Sequence, residues 1–395
     1  MDLNSRVLIK DNETFKTTDI NELKAIIEYR KKNDNILIAD VSDLKLVHRF
    51  KDETTAEFKT RVNAAIPVEE IEAHIVSGNG LFLDFNTEVN GKMRHGVLPV
   101  RDIALNSIFE RARCNCFTIS NFEAGQDYQV MPLETKIAFV NNAFKLYGGK
   151  AKVLYRDRKV TSVMSGQYYH ISYESMDNGL NALKDDFPDI AFEEASVSHE
   201  FFKETYSLNS DEVEEDIALA MSDAGRPVDK VSVTISAYTS DHGKVAATFY
   251  GKIKLDDKSI LFGSPESVKH AGKKSEAIVK EAAKKLYTSF KENEERIKAL
   301  PTISINHPAG CFRLICKEFH MPKKQACVIA DNLEGRKGVT AYEIYFLLNE
   351  LVADVEESGK DPIRTMVLQD EVARVLRADF KKYDKEFLWS RGEAV

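Results

Sequence analysis

Apolar residues along the chain change their spacing twice, and the two changes divide it. Up to residue 149 the pattern is mixed. Asp19-Ile20-Asn21-Glu22 has the spacing of a capping box and predicts a helix through about Lys32; Ile36-Leu37-Ile38-Ala39 then reads as a short buried strand. Leu81 to Val89 and Met93 to Val97 flank Asn90-Gly91, a hairpin signal because both turn residues tolerate positive φ. Ile103, Ile108 and Phe109 predict a helix just before Cys114. Pro132 suits the first turn of another helix, with Leu133, Ile137, Val140 and Phe144 on one face and Gly148-Gly149 as its stop.

From residue 150 the spacing becomes alternating. Lys152–Tyr155, Val160–Met164 and Tyr168–Tyr173 read as short strands, 174–184 as a helix and 195–205 as extended chain. The charge run Asp211–Asp216 reads as an exposed loop or helix start. Val231–Ile235 and Val245–Leu255 alternate cleanly and are predicted strands joined through residues 239–243. After Gly263 the pattern turns helical. Ser264-Pro265 and Ser275-Glu276 are helix starts, and Ile278, Ala282, Leu286 and Phe290 form a stripe on a helix to about Leu300. Further helices are expected at 308–319, 323–333, 340–357 and 363–378. The expected fold is therefore α+β, in three parts: a mixed α/β N-terminal part (1–149), an α+β core with antiparallel strands (150–263) and a helical C-terminal part (264–395).

Composition narrows the class without naming a function. The chain has 395 residues, is 43% hydrophobic and 30% charged, and carries 5 cysteines, which fit reduced thiols in a cytoplasm better than a disulfide framework. The N-terminal residues lack the basic and apolar regions of a secretory signal, and no apolar run is long enough to cross a membrane. The net charge is −8, distributed as −2 over residues 1–150, −9 over 151–240, +4 over 241–300 and −1 over 301–395. An acidic total argues against a protein that coats nucleic acid along its whole surface, but leaves room for a local basic groove.

Common catalytic and metal motifs do not occur. Gly272-Lys273-Lys274-Ser275 lacks the upstream glycine of a phosphate-cradling loop, and its lysines read as solvated. Cys114-Asn115-Cys116 and Cys311, Cys316, His320 and Cys327 lack the paired spacing of structural zinc, although Cys316 and His320 stand four apart on a predicted helix. Glu200 and Lys203 are three apart, on opposite faces of a strand, where a two-metal nuclease would need them on one face. Ser240-Asp241-His242 reads as a polar turn, since triad members are seldom sequence neighbours. The helices at 312–319 and 323–333, joined by His320-Met321-Pro322, have helix-turn-helix spacing without the usual turn glycine. No catalytic residue, metal or cofactor is assigned.

The basic and aromatic clusters suggest a binding surface. Lys152, Arg156, Arg158 and Lys159 lie close to Tyr168 and Tyr169 in the sequence; Lys252 and Lys254 alternate on a strand; His270, Lys273 and Lys274 follow. Cations that track phosphates beside rings that stack on bases are what a single-strand binder needs. Solvated lysines around core tyrosines are the alternative.

The segments ETKIAFVNNAFKLYGG, KAKVLYRDRKVTSVMSGQYYHI, TSDHGKVAATFY, ILFGSPESVKHAGKKSEA and TAYEIYFLLNEL occur in that order. So arranged, with Asn306-His307-Pro308 before the last, they resemble the phage/plasmid-like proteins that carry domain of unknown function 932, in a variant from Gram-positive bacteria and their phages. The likeness spans roughly residues 100–390. It rests on Ser165 with Tyr168 or Tyr169, Ser240 to Gly243, Gly263-Ser264-Pro265, His270 with Gly272 and Lys273, and Thr340-Ala341-Tyr342. His242 departs from the Thr or Gly of the family pattern. The resemblance implies a phage, prophage or plasmid setting and no assigned activity. The expectation is a non-enzymatic cytoplasmic protein that binds nucleic acid, single-stranded, in replication or recombination. The alternative is a module that inhibits or decoys a host defence or replication protein through its acidic stretch 185–216. A homo-oligomer stays open.

Overall fold

The computed structural model describes residues 13–114, 131–185, 187–223, 227–241, 245–256, 258–270, 276–288, 290–357 and 362–389, together with Asp11 and Gly225. A short strand β1 (Phe15–Thr17) leads into helix α1 (Ile20–Asn33). Asp19 caps that helix by accepting from Asn21 N, but the capping box is incomplete, because Glu22 accepts from the Thr17 hydroxyl instead. Strands β2 (Asn35–Asp40) and β3 (Lys45–His48) follow, then helices α2 (Thr55–Arg61) and α3 (Val68–Ser77). Strands β4 (Leu81–Val89) and β5 (Lys92–Pro99) form the expected hairpin, with Asn90 and Gly91 at φ 52° and 73°. Helices α4 (Leu105–Arg111) and α5 (Leu133–Leu146) come next, then the hairpin β6 (Lys150–Arg156) and β7 (Lys159–Ser165).

Tyr168–Tyr173 is not the expected strand. Tyr169 N donates to His270 O there, and Ser172 caps helix α6 (Tyr173–Asn181). Residues 195–205 fold as a hairpin, β8 (Ala191–Val197) and β9 (Phe201–Ser207), and the acidic run opens helix α7 (Asp211–Asp223). Strands β10 (Val231–Ser240) and β11 (Ala247–Leu255) are joined by a third, β12 (Lys258–Val268). The helix start expected at Ser264-Pro265 is wrong: β12 is the outermost strand of its sheet, a position where proline costs no ladder bond. The helix expected to about Leu300 is described as α8 (Glu276–Thr288) and α9 (Phe290–Ala299), on either side of residue 289, which lies outside the described residues. The C-terminal helices match expectation: α10 (Pro308–Glu318), α11 (Lys323–Leu333), α12 (Ala341–Glu357), α13 (Pro362–Val375) and the short α14 (Phe380–Tyr383), with a two-stranded ribbon of β13 (Ser304–Ile305) and β14 (Val339–Thr340) that has no periodic signal.

The fold is α+β, with two larger antiparallel sheets beside the β13–β14 ribbon among the described residues. The first has the order β3-β4-β2-β6-β7, with β5 on β4; the second has the order β1-β8-β9-β10-β11-β12. The expected division at 149/150 runs through the first sheet, because β6 pairs with β2 from Asn35↔Tyr155 to Asp40↔Lys150. Likewise β1, from the N-terminal part, completes the second sheet against β8. Ile36 and Ile38 are 41% and 51% exposed, so β2 is buried on one face rather than both. The second sheet is sandwiched. Gly179 of α6 lies so close that a Cβ would come 3.0 Å from Phe249, while on the other face Tyr238 and Tyr250 bond Met366 O and Gln369 of α13. No helix among the described residues is long and apolar enough to cross a membrane.

Candidate functional site

The ends of β6 and β10 meet between the two sheets, and the alternation of each strand decides what they bring. In β10, Val233, Ile235 and Ala237 point into the α6 face; two-residue periodicity carries Thr239 and Asp241 to the same side. In β6, Leu154 and Arg156 are both buried. Asp241 and Arg156, at 1% and 0% side-chain exposure, therefore meet as an ion pair of 2.9 Å. Isolated charges at that depth would cost several kcal/mol each, so partners must surround them.

They do. Arg156 donates through Nε and Nη2 to both oxygens of Asp34, the C-cap of α1, and through Nη1 to His199 Nδ1 at 3.1 Å. A guanidinium only donates, so His199 Nδ1 accepts, and its Nε2–H lies 3.8 Å from Asp11. Asp241 Oδ1 accepts from His170 Nε2 at 3.1 Å, and Oδ2 from the Tyr173 hydroxyl at 3.2 Å. Arg30, 3% exposed, donates through Nη2 to Ser198 O at 2.6 Å and lies over the Tyr173 ring. Its Nη1 stands 4.0 Å from Asp241 Oδ2 and has no hydrogen-bond partner among the described residues. A second layer of charge lies outside: Arg101 pairs with Asp11 and Asp157, Tyr29 donates to Asp157, and Lys159 reaches Asp11.

Burial and a neighbouring carboxylate set the protonation of Asp34. Burial, then the charge of Asp241, pushes the Asp34 carboxyl up to about 7. Burial opposes a charge on His170, yet the Asp241 hydrogen bond and the fields of Asp241 and Asp34 outweigh it and raise its pKa. Burial, with Asp241 beside them, holds the Tyr168 and Tyr173 phenols well above their ordinary range. Asp34, His170 and Asp241 each offer a ligand atom, and the three atoms lie within 4.8 Å of one another.

A neutral histidine completes the site. His270 stacks on Tyr168 at 5.1 Å between ring centroids. The Tyr169 carbonyl can only accept, so His270 Nδ1 donates to it at 3.0 Å and Nε2 accepts from the Thr239 hydroxyl at 3.1 Å. Burial lowers its pKa accordingly. Lys152 donates to Tyr168 O at 2.5 Å, and the Tyr168 hydroxyl to Ser240 O. Three segments that carry the family resemblance, around Tyr168-Tyr169, Ser240-Asp241 and His270, thus converge.

The expected contact residues fare unequally. Arg156 is not available to a phosphate; it is wholly enclosed by its ion pairs. Tyr168 is not available to a base; it stacks inside the protein, 4% exposed. Arg158 is exposed but paired with Glu70, and Lys159 is half-buried against Asp11. Lys152, Tyr169 and His270 lie together at the junction. Lys252 and Lys254 do not: Ala247 pairs with Val268 near His270, and Lys254 is seven residues further along β11, about 23 Å at roughly 3.3 Å per residue. Lys273 and Lys274 lie outside the described residues, as do Cys116, His242 and Gly243. The α10 helix ends at Glu318, so His320 leaves it and does not share a helical face with the buried Cys316.

Asp34, Arg30, His170 and the inward role of Asp241 were not anticipated from sequence. The alternation Val233, Ile235, Ala237, Thr239, Asp241 was the available signal for the last; the others depend on which strand ends meet. Searches of family models, curated proteins and solved structures find none that matches this chain.

Proposed function

We propose that this chain is a cytoplasmic, nucleic-acid-binding protein of a phage, prophage or plasmid, and that single strands dock where the junction reaches the surface. The observation that carries this reading is the convergence of three resemblance segments on one place rich in cationic and aromatic groups. Lys152, Tyr169 and the 14%-exposed His170 form its outer edge, and Arg30 stands behind them with an N–H that has no hydrogen-bond partner among the described residues. Lysine and histidine at such an edge supply phosphate contacts, and a partly buried tyrosine supplies a stacking surface worth about 1–3 kcal/mol per base. The footprint is smaller than the sequence suggests, because Arg156 and Tyr168 build the floor rather than touch the strand.

Fluorescence anisotropy with labelled single- and double-stranded oligonucleotides, at about 50 and 200 mM salt, tests it. Salt-sensitive binding that prefers single strands and weakens about tenfold in Lys152→Glu or Tyr169→Ala is expected. Absence of binding at the lower salt refutes it.

The protein-binding reading keeps one observation in its favour. Helix α7 presents Glu212, Glu215 and Asp216 to solvent at helical spacing with Leu219, which is 63% exposed. Glu214 is instead partly buried and bonded to the Val233 backbone. Partner capture that survives charge reversal at Glu212 and Glu215 would remove this second reading.

A further inference from the structure

We propose that Asp34, His170 and Asp241 bind one divalent metal ion of the Mn²⁺ or Zn²⁺ type, and that Arg30 holds an oxygen of a phosphate carried on that ion. The inference deepens the nucleic-acid reading and rests on it for the identity of the phosphate.

Three donors from three separate segments, the C-cap of α1, the loop before α6 and the residue after β10, offer one atom each within 4.8 Å. Ligands about 2.1 Å from a six-coordinate ion lie about 3–4 Å apart, so small side-chain rotations close the set. Two carboxylates and an imidazole suit a transition metal better than Ca²⁺. The ion takes the place of the proton between His170 Nε2 and Asp241 Oδ1, now 3.1 Å apart.

Arg156 does not block the site. A carboxylate has about four acceptor positions, and Arg156 uses two on Asp34. It becomes, with Tyr173 on Asp241, the outer partner that orients a ligating carboxylate. The second, independent observation is Arg30. A guanidinium N–H that is buried and lacks an oxygen is uncommon, because the unmade bond costs about 1–3 kcal/mol. Arg30 Nη1 is such a group, 4.0 Å from Asp241 Oδ2 at the rim of the ligand set. An oxygen ligand on the metal would satisfy it. Charge sets a condition on the assignment: Arg30 and Arg156 already balance Asp34 and Asp241, so a divalent ion must bring an anion with it.

The test is Mn²⁺ binding to the full chain after EDTA treatment, by calorimetry and electron paramagnetic resonance at pH 7.5. One ion per chain is expected, with affinity lowered at least tenfold in His170→Ala and Asp34→Asn and unchanged in Arg158→Ala. Asp34→Asn is isosteric and serves if His170→Ala fails to fold. Adding inorganic phosphate should tighten Mn²⁺ binding in the wild type and leave it unchanged in Arg30→Lys. No Mn²⁺ binding, or equal binding in both ligand variants, overturns the proposal. Oligonucleotide anisotropy in EDTA reads the parent proposal separately. Binding of the strand without Mn²⁺ capture removes only the metal site; Mn²⁺ capture without strand binding removes only the nucleic-acid reading.

Discussion

Replacing Arg156 with methionine removes the cation that donates hydrogen bonds to both Asp34 and Asp241. Its side chain is fully enclosed, donates to both oxygens of Asp34, pairs with Asp241 at 2.9 Å and reaches His199 at 3.1 Å. Methionine fills most of the volume, so packing is nearly conserved and the loss is electrostatic. Breaking a buried pair by removing one partner costs about 3–5 kcal/mol, chiefly because the other charge is left without compensation. At about 2–4 °C per kcal/mol for larger chains, Arg156→Met should lower Tm by about 6–20 °C, with the longer chain favouring the lower end. Calorimetry reads the shift. The double variant Arg156→Met, Asp34→Asn removes one carboxylate with the cation, leaves Arg30 opposite Asp241, and should recover most of the loss. A single variant within about 1 kcal/mol of wild type, or a double variant no better than the single, would refute the claim that this ion network joins the sheets.

Other consequences are equally direct. The folded Asp34 pKa, about 7, lies above the ordinary 3.8, so its share of stability is complete below about pH 4 and is lost as pH rises through 7; His170, also raised, acts in the same direction. Urea unfolding at pH 5 and pH 8 should therefore show a smaller pH difference in Asp34→Asn than in wild type, and an identical difference would contradict the assignment. Glu204 is wholly buried between Ala195 and Ala237, neither oxygen has a hydrogen-bond partner among the described residues, and burial raises its pKa well above the usual carboxylate range. Glu204→Leu should stabilise the fold by about 1–3 kcal/mol, read as a higher Tm at pH 8; a fall would show an unrecognised role for the acid. A Cβ on Gly310 would come 2.1 Å from Lys385 O, so Gly310→Ala should cost about 1–3 kcal/mol and speed proteolysis after Asp384, whereas an unchanged digestion pattern would mean the tail does not pack there.

Local sequence rules carried much of the fold. Asn90-Gly91, the stripe of α5 and the alternation of β10 and β11 each state their element within a few residues. They failed where tertiary context decides. Ser264-Pro265 looks like a helix start, yet an edge strand accepts proline, and only the pairing of β11 with β12 reveals the edge. Tyr168–Tyr173 alternates like a strand but finds no neighbouring strand to pair with among the described residues; its rings serve packing instead. The site was less legible for the same reason. Arg156 and Arg158 look alike in sequence, and the pleat separates them: one ends β6 facing inward, the other sits in the turn with φ 59°. Asp34 and His170 lie 136 positions apart in sequence, and nothing local to either announces that the other is its neighbour.

Hydrogen–deuterium exchange of the wild-type chain, with and without a single-stranded oligonucleotide at low salt, tests binding and its location together. The account predicts slower exchange at residues 167–173 and at the adjoining β6 backbone around Lys152, with no change at Lys252–Leu255. Protection centred on 252–255, or none at any segment under saturating oligonucleotide, would contradict it.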